Sequence, residues 1–176
     1  MKRCTDILTG GTWDPAHATD RFRGDYEARH RRRMVLDLAS GDRVMLDLPQ
    51  ARLLRQGDGL RCDDGSIILV EAEPETLLEV TAHGPLHLLR LAWHLGNRHL
   101  PAMIAPDRIL IRQDHVIAAM VSGLGGHVRE IRAPFDPESG AYDGQGHDHG
   151  HGHSHDHEHD HADHGHHGHH GGGHHH

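Results

Sequence analysis

The sequence predicts an α+β protein, in which a small β-domain over residues 1–74 precedes a second domain over residues 75–142 and a His-rich tail over residues 143–176. Three observations support this prediction. Short segments between Met34 and Ala72 alternate apolar and polar residues, as strands with one buried face do. Two later segments have helical periodicity and helix-end signals. From His147 onward the chain has no large apolar residue, so the tail is predicted to be disordered.

Four strands are predicted in the first domain. RMVLDLAS and DRVMLDLP both alternate apolar and polar residues, and SGD supplies a turn between them. The next two runs, LRC and SIILVEA, flank Asp64-Gly65, a dipeptide typical of a β-hairpin turn. Pro74 and its acidic neighbours mark a linker.

Residues 1–30 show no clear period and are predicted to be an irregular basic leader. Its cluster RFRGDYEARHRRRM is interpreted first as a solvated strand edge or loop. The alternative is a docking patch for an acidic partner or a nucleic acid. Few aromatic residues accompany the cluster, so stacking against single-stranded nucleic acid has little support.

The second domain is predicted to contain two helices and four strands. TLLEVTA predicts a strand, and GPLHLLRLAWHLGNRH predicts a helix that begins after Gly84-Pro85 and ends at Gly96-Asn97. AMIA and DRILIR predict two short strands. DHVIAAMVSGLGG predicts a second helix with Asp114 as its N-cap, and HVREIRAPF predicts a last strand. The order β-α-β-β-α-β is that of the ferredoxin-like arrangement.

Composition excludes several classes of protein. Lys2 is the only lysine and no GxxxxGK[ST] motif occurs, so a P-loop nucleotide site is excluded. Cys4 and Cys62 form no CxxC pair and no secreted disulfide pattern, which favours a reducing compartment. The apolar runs are too short to span a bilayer. We therefore predict a soluble, cytoplasmic protein with no membrane or nucleic-acid partner.

The tail is predicted to bind transition metals. Of the 24 histidines, 16 lie from His147 onward, many at every second position among acidic residues, whereas a purification tag is normally one uninterrupted run. Neutral imidazole binds Ni²⁺, Zn²⁺ and Cu²⁺, and a flexible peptide imposes no geometry that would select one ion. The candidate ligands in the tail are His147, His149, His151, His153, His155, His157, His159, His161, His164, His166, His167, His169 and His170.

Two histidines upstream of the tail are candidate ligands. His99 follows Gly96-Asn97, so it lies beyond the helix that holds His94, and the two do not share a helical face. His115 begins the second helix, and a twofold dimer would double the pair of His99 and His115 to four imidazoles. The remaining upstream histidines are interpreted as isolated surface or capping residues: His17, His30, His83, His87 and His127.

The turn HLGNRHLP, followed by DH, by a strand ending in PFDPESGAY and by a His-rich terminus, resembles the UreE family of urease accessory nickel metallochaperones. The resemblance covers the chain from about Met34 onward. It implies a homodimer with a domain like a peptide-binding module and a dimerising ferredoxin-like domain. It also implies that His99 from each subunit binds one shared Ni²⁺, and that His94 is not the central ligand. His115 matches the second histidine of an H-D-H arrangement whose first position here is Gln113.

The predicted function follows from this resemblance. The chain is expected to be no enzyme but a metallochaperone that delivers Ni²⁺, through an accessory GTPase, to the complex of urease apoprotein and accessory proteins. The tail would collect the ion, and His99 would transfer it from incomplete coordination. The alternative is a nickel or zinc storage or detoxification protein, in which His99 is dispensable. A metal-dependent hydrolase using His99 and His115 also needs a positioned base and an enclosed pocket, and only Asp114 lies beside them in sequence.

Overall fold

The computed structural model describes residues 1–139, which form two β-sheets and their connecting helices. The strands of the first sheet are β1 (Lys2–Leu8), β2 (Asp20–Gly24), β3 (His30–Asp37), β4 (Arg43–Leu53), β5 (Gly59–Cys62) and β6 (Ile67–Ala72), in the order β2-β6-β5-β1-β4-β3. A short 3-10 turn, Pro15–His17, and helix α1, Tyr26–Arg29, connect its early strands. In β4 the alternating residues Val44, Leu46 and Leu48 are buried, as the period-2 pattern predicts.

Residues 1–30 differ from the predicted irregular leader, because two strands lie there. β1 pairs with β4 on one side and with β5 on the other, so it lies inside the sheet. β2 pairs in parallel with β6. Only Cys4 is fully buried in β1, so the segment KRCTDIL carries no clean alternation. Pairing with neighbouring strands decides its structure, and single-sequence patterns do not contain that information.

The two cysteines also differ from expectation. Cys4 and Cys62 form a disulfide across 58 residues of sequence. They are directly opposed in the register between β1 and β5, and both are buried. Their spacing in sequence gives no sign of this pairing, since it depends on the position of β1 within the sheet.

The second sheet contains the four later strands in the order β10-β7-β9-β8, and each neighbouring pair is antiparallel. Its elements in chain order are β7 (Pro74–Thr81), α2 (Pro85–Gly96), β8 (Ala102–Ile104), β9 (Ile109–Arg112), α3 (His115–Gly123) and β10 (His127–Pro134). Both predicted helices are confirmed, and so is the α+β class with mostly strands and few helices. Helix α2 buries Leu88, Leu91 and Leu95 in the same core as Ile117 and Val121 of α3.

The two sheets meet around a buried arginine. The side chain of Arg29, at the end of α1, is fully buried. Its guanidinium donates hydrogen bonds to the carbonyl oxygens of Gly24, Leu54 and Phe135 and to the carboxylate of Asp136. Phe135 packs in a small third core with Leu77 and Leu110 of the second sheet. The segment after β10 is therefore held against both sheets.

No helix within residues 1–139 is long and apolar enough to cross a membrane. The predicted tail over residues 143–176 and its histidines lie outside the described residues.

Candidate metal site

His99 lies in the turn that ends helix α2. The backbone N–H groups of Asn97, Arg98 and His99 donate to carbonyl oxygens of the last helical turn, the last of them to Gly96. His99 has φ of 55°, the only positive φ at a non-glycine residue within the described part of the chain. This left-handed conformation is uncommon for a side chain with a Cβ, although histidine enters it more readily than most residues. The turn leaves His99 exposed to solvent.

His115 is the first residue of helix α3 and is also exposed. Its position depends on Asp114, whose carboxylate accepts hydrogen bonds from the backbone N–H groups of Val116 at 2.8 Å and Ile117 at 3.0 Å. The preceding Gln113 is directed elsewhere, since its side-chain amide donates to Glu130 at 2.8 Å. The N-cap predicted from the sequence is therefore present.

The cap gives a first testable prediction. Replacing Asp114 with Ala removes the acceptor for two N–H groups, so we expect the free energy of unfolding to fall by about 1 kcal/mol. Asp114→Asn is the matched control, because asparagine caps helices as well as aspartate does. Urea denaturation of both variants measures the difference, and equal stabilities would contradict the capping role.

A cleft of about 550 Å³ lies between the loop that follows His99 and the start of α3. Leu100 and Pro101, next to His99 in sequence, line one part of it, and Gln113 and Asp114, just before His115, line another. Glu75 and Arg112 complete its polar wall, and the Arg112 Nε lies 3.9 Å from a carboxylate oxygen of Glu75. The structure thus brings the sequence neighbours of both candidate ligands to one cleft.

No group of three or more His, Cys, Asp or Glu side chains in residues 1–139 is arranged to hold a metal ion. His94, in the last turn of α2, contacts the Trp93 ring edge-on, with ring centroids 5.0 Å apart. The described residues thus contain two exposed candidate ligands, His99 and His115, whose sequence neighbours line a common cleft.

The structure also brings together three histidines, His83, His87 and His127, that the sequence predicts to be isolated. The rings of His83 and His87 stack with centroids 5.8 Å apart, and those of His83 and His127 meet edge-on at 4.7 Å. His127 reaches this cluster because it is paired with Thr81 in the sheet, a register that the sequence does not show. The only signal in the sequence was the short separation of His83, which precedes α2, and His87, which lies in its first turn.

His87 is a capping residue, as predicted, and both of its ring nitrogens are engaged. Nδ1 accepts from the backbone N–H of His83 at 3.3 Å, and Nε2 lies 2.9 Å from the carbonyl oxygen of Leu124. A metal ion would have to displace one of these hydrogen bonds. The cluster is therefore a weaker ligand set than its three rings imply.

Comparison with known proteins covers both halves of the chain. The family profile described as "UreE urease accessory protein, N-terminal domain" matches residues 5–73, and the profile of the corresponding C-terminal domain matches residues 75–161. A urease accessory protein UreE from Chelativorans sp. (strain BNC1) is 56% identical over 130 residues, covering 74% of this chain and 82% of that protein. Proteins of the same name from Bradyrhizobium sp. (strain ORS 278) and Rhizobium rhizogenes (strain K84) are 52% identical over 142 residues and 49% over 146 residues. They cover 81% and 83% of this chain, and 67% and 87% of their own lengths.

The two-domain α+β fold and these matches define the class as urease accessory proteins, and the relatives are named for an accessory role and not for an enzyme activity. The chain belongs to the UreE family. The resemblance drawn from HLGNRHLP and the His-rich terminus is confirmed. It extends further than predicted, because the family match begins at residue 5 and includes most of the presumed leader.

Proposed function

We propose that this protein is a nickel metallochaperone, which binds Ni²⁺ at His99 and delivers it, through a GTPase partner, for assembly of the urease active site. The proposal rests on the position of His99 in this chain, which belongs to the UreE family. His99 is exposed, held in a left-handed turn at the end of α2, and followed directly by Leu100 and Pro101, which line the cleft. Imidazole is a suitable ligand for Ni²⁺, and an exposed ligand leaves coordination positions open to water or to a recipient.

A second copy of the chain supplies the further imidazole that a stable site needs. Helix α2 has one face in the core and an opposite stripe of large apolar side chains in solvent, formed by Leu86, Leu89 and Trp93, which are 62%, 67% and 66% exposed. This stripe, at spacing i, i+3, i+7, is the pattern of a helix face that packs against a partner. It ends three residues before Gly96, one turn from the loop that carries His99. In a twofold dimer formed by this stripe, the two His99 side chains would approach the same ion.

The half of the chain that would dimerise is the proposed ferredoxin-like domain, residues 75–142. Its strand order β10-β7-β9-β8 and its two helices support this assignment. Residues 1–74 form the proposed peptide-binding-like domain.

The tail is proposed to collect metal and His99 to transfer it. The segment that precedes the tail is anchored near the transfer point, since the backbone N–H of Glu138 donates to the carbonyl oxygen of Ala102 at 2.8 Å, three residues after His99. A tethered set of weak sites raises the local concentration of metal in the dimer without any new contact. His115 is assigned a supporting role in this transfer, and the tail could carry Zn²⁺ or Cu²⁺ in place of Ni²⁺.

Substitution of His99 tests the proposal. In a chain that ends at Asp143, and so lacks the histidines of the tail, we expect both His99→Ala and His99→Asn to abolish nickel binding measured by calorimetry. The two variants separate loss of the ligand from loss of the fold. Asparagine adopts the left-handed conformation more readily than alanine, so a loss of nickel binding in both variants is due to the missing imidazole and not to a changed turn.

The alternative function, nickel or zinc storage in the tail, predicts a different result. The shortened chain would then bind no nickel with or without His99, and the full-length His99→Ala protein would bind as much metal as the unmodified protein.

A further inference from the structure

A group of unpaired arginines lies at one edge of the first sheet. β3 is the last strand in the order β2-β6-β5-β1-β4-β3, so it pairs on one side only, with β4. Its first half contains Arg31, Arg32 and Arg33, and Arg52 of β4 lies directly opposite Arg31. Residues opposed in an antiparallel pair extend from the same face, so the guanidinium groups of Arg31 and Arg52 are neighbours on one face of the sheet. We call the residues Arg31, Arg32 and Arg52 the basic edge.

The three arginines of the basic edge have no internal counter-charge. Within residues 1–139 none of its three arginines has a carboxylate within 4.0 Å, and Arg32 donates only to the carbonyl oxygen of Leu48, at 3.4 Å. Most other arginines of this sheet do reach a carboxylate. These are Arg3 and Arg33 with Asp47, Arg21 and Arg23 with Glu71, and Arg61 with Asp6.

The local backbone is also irregular. The register of β3 and β4 shifts between Arg31 and Arg33, so Arg32 stands at a bulge. Charged residues and bulges at sheet edges commonly prevent aggregation. Protection against aggregation does not require Arg31 and Arg52 to lie directly opposite each other. Like charges in opposed positions destabilise a strand pair. A surface that keeps this arrangement is suited to a ligand that supplies the missing negative charge.

We propose that the basic edge binds an acidic, extended segment of a partner protein, which lies along the free side of β3. The unpaired backbone groups of an edge strand accept such a segment as an additional strand, and carboxylates at alternate positions share one face, where they reach the guanidinium groups of Arg31 and Arg52. Aromatic side chains make up 3% of the chain, so the stacking that single-stranded nucleic acids need has little support. The proposal rests on the proposed peptide-binding-like character of residues 1–74, whose partner it specifies, and it is independent of nickel binding at His99.

The test uses the full chain and a fluorescein-labelled ten-residue peptide that alternates Glu with Thr, measured by fluorescence anisotropy at low salt. We expect the peptide to bind and its Gln-for-Glu counterpart to fail. The variant Arg31→Gln/Arg52→Gln is expected to bind about fivefold more weakly, as the loss of two exposed ion pairs predicts. The control Arg43→Gln/Arg90→Gln removes the same charge at exposed arginines that also have no carboxylate partner within residues 1–139, and it is expected to bind like the unmodified protein.

Two further measurements distinguish a specific site from general attraction. Hydrogen exchange should slow at β3 when the peptide binds, because backbone groups of the free edge become paired. Arg31→Gln/Arg52→Gln should not lower the melting temperature, since it removes a repulsion. The proposal is overturned if the acidic peptide does not bind, if both double variants bind it equally, or if a ten-nucleotide single-stranded DNA binds the basic edge more tightly than the peptide does.

Discussion

Replacing Arg29 with Met is expected to lower the free energy of unfolding by about 3–5 kcal/mol, because the substitution removes one partner of a buried ion pair and leaves the other. Arg29 is fully buried and its guanidinium bonds to one carboxylate and three carbonyl oxygens. Met fills a similar volume but offers no donor. The carbonyl oxygens of Leu54 and Phe135 would then lose this donor, whereas the Gly24 carbonyl keeps the N–H of Glu73 and the Asp136 carboxylate keeps Arg55 at 3.7 Å.

The matched control for this prediction is Arg55→Met, since Arg55 binds the same segment from a more exposed position. Its guanidinium donates to the carbonyl oxygen of Pro137 at 3.0 Å and to the hydroxyl of Ser139 at 2.6 Å. About a third of this side chain is exposed, so we expect its loss to cost only about 1 kcal/mol. Urea denaturation measures both variants, and an equal or smaller loss for Arg29→Met would contradict the role of Arg29.

The second large effect is expected at the proposed dimer surface. Replacing Leu89 with Glu places a carboxylate at the centre of the exposed stripe on α2. A twofold interface contains the substitution twice, so about 2 kcal/mol at each position raises the dimer dissociation constant by about a thousandfold. Because the proposed nickel site needs both chains, nickel binding in the chain that ends at Asp143 should weaken with it.

Sedimentation velocity measures this change directly. Ile104→Glu serves as the control, because Ile104 is also a large apolar side chain in solvent, 54% exposed, but lies on β8 and outside the stripe. An unchanged sedimentation coefficient for Leu89→Glu, or an equal shift for both variants, would show that the stripe on α2 is not the dimer surface.

The elements that could be predicted from the sequence are those with local signals. Gly84-Pro85 marks the start of α2, and Asp114 caps α3, because both depend on residues within one helical turn. The strands β1 and β2 could not be predicted, since their structure depends on partners far along the chain. The Cys4–Cys62 disulfide was missed for the same reason, because the two residues meet only once β1 enters the sheet.

The candidate site divides in the same way. His99 could be identified from a short motif, and the end of α2 before it from Gly96-Asn97. The left-handed conformation of His99 and the cleft beside it required the structure, because they depend on how the loop packs against β7 and β9. The stripe on α2 was present in the sequence as apolar residues, but which of its two faces is buried is decided by the sheet.

The most direct test of the central proposal is native mass spectrometry of the chain that ends at Asp143, titrated with Ni²⁺. If two copies of His99 share one ion, the spectrum should show two chains with a single nickel, and His99→Ala should leave two chains without metal. A nickel ion bound to a single chain, or a dimer whose nickel persists in His99→Ala, would contradict a shared site at His99.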